Sequence, residues 1–425
     1  MREGVVLSRG NNLLIDLARI LMGRKVERFS FHRPENEPDF SLENAGLYLH
    51  VPFCKTLCKF CPYYKVKYEK VLARSFLKGL KQEIIEASQK RRIDNVTSVY
   101  YGGGSPGIMS GDLADINTVI RDHFAFNGDF AVELHPDNLT PRHLNDIVEA
   151  GFTMISVGVQ SFEPPLLETL GRNDTTGPYE RLQKLKTYPF KTIDIDLIFG
   201  IPGQTESSLK RDFQKAVELG ATQISTYPFI AFSYLKNTQK PLGRAAKKRH
   251  LKALLQFSEE CGFERTSVWT FAKKGTKRYS SVTRDFFVGF GPSATTLTRD
   301  AFYINTFSVK EYVRKTLKKE SPVALQMDFT ARARMLYWFF WSCYEMRLDK
   351  DAFYSIFQRE LKDVFSFWLF AGKLFGYLTE TKAAYLLTER GALVYHEIEQ
   401  RLTDAYIDKT WKVCYNEPWP SKLRI

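Results

Sequence analysis

The sequence predicts an α/β protein: a partial (β/α)6, TIM-like barrel, preceded by an N-terminal extension and followed by a mostly helical, winged-helix-like C-terminal domain. Three observations lead there. Between about residues 46 and 230, short runs rich in β-branched and aromatic residues alternate with amphipathic stretches of helical length. The residues with chemical potential fall at or just after the ends of those runs, where barrels of parallel strands carry their sites. From about residue 326, by contrast, ARARMLYWFFWSCYEMRL reads as a helix apolar nearly all round, and therefore buried.

Each element can be justified in turn. Residues 1–45 form the extension, with the apolar, amphipathic run NNLLIDLARILMG and a linker, HRPENEPD, at 32–39. GLYLH is the first strand, followed by a helix near 71–90; TSVYY precedes a helix over 111–124, and DFAVEL one over 141–150. MISVGV then leads into 164–187, TIDIDLIF into 205–219, and QISTYPFI closes the series. Strands alternating with helices demand a parallel sheet, because parallel neighbours need a crossover between them. The core with a substrate-facing extension is expected over 46–300 and the C-terminal domain over 301–425, where KLFGYLTETKAAYLLTERGALVYHEIEQRL carries the helix, short strands and helix of a winged module.

Composition narrows the function classes. With 425 residues, 44% of them hydrophobic, the chain supports a sizeable core. No apolar run approaches the ~18 residues of a membrane span and the N-terminus lacks a secretory signal, so a soluble, cytoplasmic protein is expected. Cys261, Cys343 and Cys414 are scattered singly, against a disulfide framework. The net charge is +13, and residues 236–320 hold 19 lysines and arginines against 7 acidic residues. That segment reads as a solvated helical face or as an attractor for a polyanion. No recognisable nucleic-acid-binding motif accompanies it, which argues against nucleic acid.

Cys54, Cys58 and Cys61, spaced C-x3-C-x2-C, put three thiolates on one loop, with no histidine or fourth cysteine nearby to complete a zinc site. Cysteines at such spacings hold iron-sulfur clusters, and three of them leave one iron open. Gly102, Gly103 and Gly104 behind a strand let the backbone approach a ligand. Glu133 stands at a strand end, and Asp196, inside the apolar run IDIDLIFGI, needs a partner or a ligand. His50 and His135 read as structural rather than as metal ligands.

The cysteine loop, with Phe60 before its last cysteine, resembles the signature of the radical S-adenosylmethionine (SAM) enzymes. The words YLHVPFC at 48, GGGSP at 102, VELHP at 132, GVQSF at 158, LGR at 170, DLIFGIPGQT at 196 and GFGPSA at 289 are similar to those of one subfamily. Its members are the oxygen-independent coproporphyrinogen III dehydrogenase (HemN), the haem chaperone (HemW) and class C methyltransferases, and the likeness runs from about 46 to 300.

The resemblance implies that Cys54, Cys58 and Cys61 hold a 4Fe-4S cluster whose open iron is chelated by SAM. It further implies that Tyr48, Phe60, Gly102, Gly103, Gly104, Ser105 and Glu133 contact that SAM, and that Gln160, Arg172 and Asp196 surround a second. Tyr48, Glu133, Gln160 and Asp196 are the expected catalytic set. An anionic tetrapyrrole and an electron donor such as flavodoxin or ferredoxin are the implied partners. Two departures matter: Tyr63 stands where the dehydrogenase carries a further cysteine, and RYSSVTRDFF at 278–287 lacks the chaperone's His-Asn-x-x-Tyr-Trp stretch. With the extension, they favour methylation of, or methylene transfer to, an sp2 carbon of a tetrapyrrole such as haem, with Arg278 and Arg284 as candidates for its carboxylates. Oxidative decarboxylation of coproporphyrinogen III and haem carriage are the alternatives.

Overall fold

The computed structural model of the chain describes residues 29–172, 178–236, 239–280 and 285–424. Its first nine strands are β1 (Ser30–His32), β2 (Ser41–Val51), β3 (Phe53–Cys54), β4 (Val66–Lys67), β5 (Arg92–Gly103), β6 (Phe126–Leu134), β7 (Phe152–Gln160), β8 (Thr192–Phe199) and β9 (Gln223–Pro228). Strands β2, β5, β6, β7, β8 and β9 lie side by side in that order, all parallel, as the alternating pattern predicts. Among the crossovers are helices Lys70–Lys90, Ser110–His123, Pro141–Glu149 and Glu206–Glu218. Local chemistry sets where two of them start. Thr140 and Thr205 each accept from a backbone N–H in the first turn, satisfying donors that a helix leaves unpaired there. The sheet has two free edges, so the barrel is partial.

Alternation along the parallel strands divides their faces. Leu49, Val99, Val132, Ile155, Ile195 and Ile224 are buried in the main hydrophobic core. The alternate residues Tyr48, Tyr100, Glu133, Ser156, Asp194 and Asp196 form the other face. A parallel sheet with helices packed on it usually reads as continuous apolar runs. A polar second face therefore marks a face built for something other than packing.

Three differences from the sequence reading have physical reasons. The helix expected over 164–187 is broken: Pro164–Thr169 ends at Gly171, whose φ of +71° is the left-handed conformation that stops a helix. A seventh parallel strand, β12 (Phe287–Phe290), pairs with β2, a contact between segments some 240 residues apart that no local pattern encodes. The sheet also runs across both expected boundaries. β2 begins at Ser41, while β14 (Ala301–Asn305) and β15 (Val323–Asp328) extend the same sheet. β1 and a terminal strand, Lys422–Arg424, close that edge, so segments from before residue 46 and after residue 300 complete one sheet. Glu83 ties this edge to helix Lys70–Lys90, its buried carboxylate accepting from Gly291 N (2.9 Å), Asn305 Nδ2 (2.9 Å) and Tyr312 Oη (2.5 Å).

The C-terminal region is largely helical. Ala331–Tyr344 is followed by a three-stranded antiparallel sheet of Arg347–Asp349, Leu378–Glu380 and Ala384–Leu387, and then by helix Glu389–Leu402. The hairpin between two helices has the form of a wing. Among the described residues no helix is long and apolar enough to cross a membrane. The run NNLLIDLARILMG lies outside the described residues.

Candidate active site at the ends of the parallel strands

The cysteine loop leaves the end of β2. Val66 N donates to Pro52 O at 2.7 Å and Tyr68 N to Cys54 O at 2.9 Å, pinning both stems of the loop, while Lys65 Nζ reaches Cys61 O at 2.7 Å. Burial pushes the Cys54 thiol up to about 12, with Cys61 and Cys58 adding to the effect, so the thiols sense one another. Phe60, inside the loop, packs on an apolar cluster containing Leu166, Leu170 and Ile201 from the loops after β7 and β8. Tyr63 stands just beyond Cys61. It is half exposed, and desolvation raises its phenol well above the usual range, with Glu133, Cys61 and Asp196 adding to that.

The glycine loop meets this one. Gly104 N donates to Val51 O at 2.7 Å and Ser105 N to Phe53 O at 2.8 Å. A Cβ on Gly104 would stand 2.7 Å from Phe53 O, and one on Gly102 would stand 3.0 Å from the Glu133 carboxylate. Gly103 has φ +106°, so glycine is required there by conformation and by contact alike. Glu133 accepts from Tyr100 Oη at 2.8 Å and Gly103 N at 3.2 Å, and burial raises its carboxyl. Tyr48 stacks on Tyr100 at 6.0 Å. Its hydroxyl lies 3.1 Å from His50 Nδ1, whose Nε2 donates to Tyr64 O at 2.8 Å, and burial lowers His50 to about 4. His50 is thus a neutral, structural imidazole. Ser105 turns away from the loop, its Oγ donating to Asn138 Oδ1 at 2.6 Å.

The second set lies along β7 and β8. Gln160, at the end of β7, has φ +72°, a conformation non-glycine residues hold at a cost, and its amide folds back toward Gly158. Arg172 is buried; it donates to Gly158 O at 2.5 Å, and its Nη2 lies 3.0 Å from His135 Nε2, which links the GVQSF and VELHP segments. Asp196 accepts from Ser156 Oγ at 2.8 Å; burial, then Asp194 and Glu133, push its carboxyl well up. Three carboxylates thus share one enclosure.

Several supporting residues escaped the sequence reading. Asp212 accepts from Ser161 Oγ and Phe162 N, both at 2.7 Å, and so fixes the turn after Gln160. Asp194 accepts from Ser225 Oγ at 2.7 Å and Gln223 Nε2 at 2.8 Å, and burial pushes it up to about 7. Its signal was present as the first aspartate of IDID. Of the two basic candidates, Arg278 pairs with Glu345 at 3.1 Å, and Arg284 lies outside the described residues.

The donor chemistry fits an iron-sulfur cluster. Among the described residues no three His, Cys, Asp or Glu side chains converge as a single metal ion requires. A cubane takes its thiolates on separate irons, so three neighbouring cysteines on one loop suit it without converging.

Comparison with known proteins agrees with this geometry. The model of the Radical SAM superfamily matches residues 48–216. The chain is 27% identical to the haem chaperone HemW of Bacillus subtilis over 371 residues, covering 83% of this chain and 97% of that one. It is 25% identical to the oxygen-independent coproporphyrinogen III oxidase of Escherichia coli over 296 residues, 64% of this chain and 65% of that one. In fold it is similar to the solved structure of Escherichia coli coproporphyrinogen III oxidase (HemN), with a TM-score of 0.70 at 20% identity, covering 92% of this chain and 93% of that one.

Proposed function

From the premise that the chain carries a radical SAM domain, of the kind that works with a 4Fe-4S cluster and SAM, we propose that it oxidises a tetrapyrrole in the manner of the oxygen-independent coproporphyrinogen III oxidase. The observation that carries the reading is the meeting of the cysteine loop, the glycine loop and Glu133, tied by the bonds from Gly104 N to Val51 O and from Gly103 N to Glu133. When bound, the cluster and SAM supply a 5'-deoxyadenosyl radical. Cys54, Cys58 and Cys61 hold the cluster. Tyr48, Phe60, Gly102, Gly103, Gly104, Ser105 and Glu133 would contact SAM, and Gln160, Arg172 and Asp196 would hold a second.

The rest of the organisation belongs to the same proposal. Residues 1–45 extend a core over 46–300, and 301–425, whose first strands continue the core's sheet, cover the mouth. An anionic tetrapyrrole enters, a flavodoxin or ferredoxin supplies electrons, and the protein works in the cytoplasm.

Methyl transfer to a tetrapyrrole is a second reading, favoured by one observation: the residue two positions after Cys61 is Tyr63, not a cysteine. One anaerobic experiment separates the two. Reconstituted, reduced protein is given SAM with a deuterated methyl group and either coproporphyrinogen III or haem, and all products are weighed by mass spectrometry. Oxidation gives 5'-deoxyadenosine and loss of carboxyl groups from coproporphyrinogen III. Label in the tetrapyrrole with S-adenosylhomocysteine replaces that reading with methyl transfer, and no reaction of either compound removes the tetrapyrrole from the proposal.

A further inference from the structure

Two carbonyls immediately after Cys61 are held by side chains from distant parts of the chain. Tyr234, in the segment after β9, donates its hydroxyl to Pro62 O at 3.0 Å. Tyr415, on helix Asp408–Asn416, donates to Tyr63 O at 2.7 Å and to Pro62 O at 3.3 Å. The two phenol rings stack at 4.9 Å with 29° between their planes, and Tyr415 also packs on Tyr64 at 5.4 Å. Trp411, one turn earlier, covers Tyr63 at 5.8 Å. The nearby thiols Cys61 and Cys54 raise the Tyr415 phenol further, after burial, which brings its hydroxyl into the cysteine neighbourhood.

We infer that Tyr234 and Tyr415 are positioning residues for the cluster: they pin the backbone beyond the third cysteine. The inference rests on the radical SAM reading for its purpose, not for its geometry. Phenylalanine or leucine would bury comparable apolar area; what tyrosine adds is the hydroxyl, and both hydroxyls go to carbonyls within two residues of Cys61. Groups just behind metal ligands fix ligand orientation, and solvent exposure and hydrogen bonding tune an iron-sulfur cluster.

The test uses Tyr415→Phe, Tyr234→Phe and the double variant, in which the rings and their stacking persist. In the metal-free full-length protein, alkylation of Cys54, Cys58 and Cys61 by iodoacetamide is followed by peptide mass spectrometry. The double variant is expected to react roughly tenfold faster at these thiols, as the loss of two ordinary hydrogen bonds would allow. Cys343 should keep its rate. Tyr385→Phe, which removes a phenol in the separate three-stranded C-terminal sheet, should leave the three thiols unaffected. After reconstitution, the double variant's cluster should also bleach faster in air. Rates equal to wild type in both assays overturn the inference; if the double variant fails to fold, Tyr415→Phe alone decides by the same rates. Faster alkylation in a protein whose wild type takes up no cluster leaves the pinning standing and removes the radical SAM reading.

Discussion

Replacing Gly104 by alanine asks the backbone of Pro52 and Phe53 to move. The new Cβ would lie 2.7 Å from Phe53 O and 2.9 Å from both Phe53 N and Pro52 C, where ordinary contact begins at 3.4 Å. None of these atoms belongs to a side chain that can swing aside. The segment leading into Cys54 must therefore retreat, and the bonds from Gly104 N and Ser105 N that tie the two loops must lengthen. Overpacking of this kind costs about 1–3 kcal/mol, which lowers the thermal midpoint of a chain this long by roughly 1–3 °C. Thermal unfolding followed by circular dichroism reads the first effect, and iron per chain after reconstitution reads the second, a fall in cluster uptake. Gly111→Ala is the control: it sits in helix Ser110–His123 with nothing nearer than 3.9 Å, and alanine there should be neutral or stabilising. Gly104→Ala with a wild-type midpoint and wild-type iron content would refute the argument that these loops meet without slack.

Two further predictions follow from buried carboxyls. Burial pushes Glu83 from its ordinary 4.5 up to about 7, so folding takes up a proton between those values. Its contribution is fully present below pH 4.5 and lost as the pH rises through 7, about 3 kcal/mol in all. Denaturant midpoints across pH 4–8 should show that decline, and Glu83→Gln should flatten it; parallel profiles for the two proteins would contradict the assignment. Asp196→Asn replaces the buried carboxyl beside Asp194 and Glu133 by a group that cannot ionise, while leaving an acceptor for Ser156. The midpoint is expected to hold or rise while 5'-deoxyadenosine formation falls, and a midpoint more than about 2 °C lower would count against the crowding of carboxyls.

Legibility from sequence followed the range of the interaction. The six alternating strands and the cysteine loop were readable because period, spacing and turn residues are local signals. The pairing of β12 with β2 was not, since FVGF is too short a run to announce a partner so far away. The edge beyond residue 300 was not legible for a related reason: β13 (Thr295–Leu297), β14 and β15 form an antiparallel meander whose pairing with β1 no local pattern announces. In the candidate site, the residues at strand ends could be named from the sequence, but those that hold them could not. Asp212 sits mid-helix in a pattern that reads as an ordinary solvated face, and only the fold turns it toward Ser161. Arg172 was expected beside a second SAM from its motif alone; that it is buried and bonded to the Gly158 carbonyl needed the fold.

The separation between the cysteine loop and Tyr415 also has a consequence for biosynthesis. Tyr63 and Tyr415 are 352 positions apart, and a ribosome adds ~5–20 residues per second. The three thiols are therefore made roughly 20–70 s before the helix that braces the carbonyls behind them. During that interval the nascent loop lacks the bonds from Tyr415 to Pro62 O and Tyr63 O. Synthesis thus makes the loop first and its brace second, and alkylation of stalled nascent chains with and without helix Asp408–Asn416 would time the bracing.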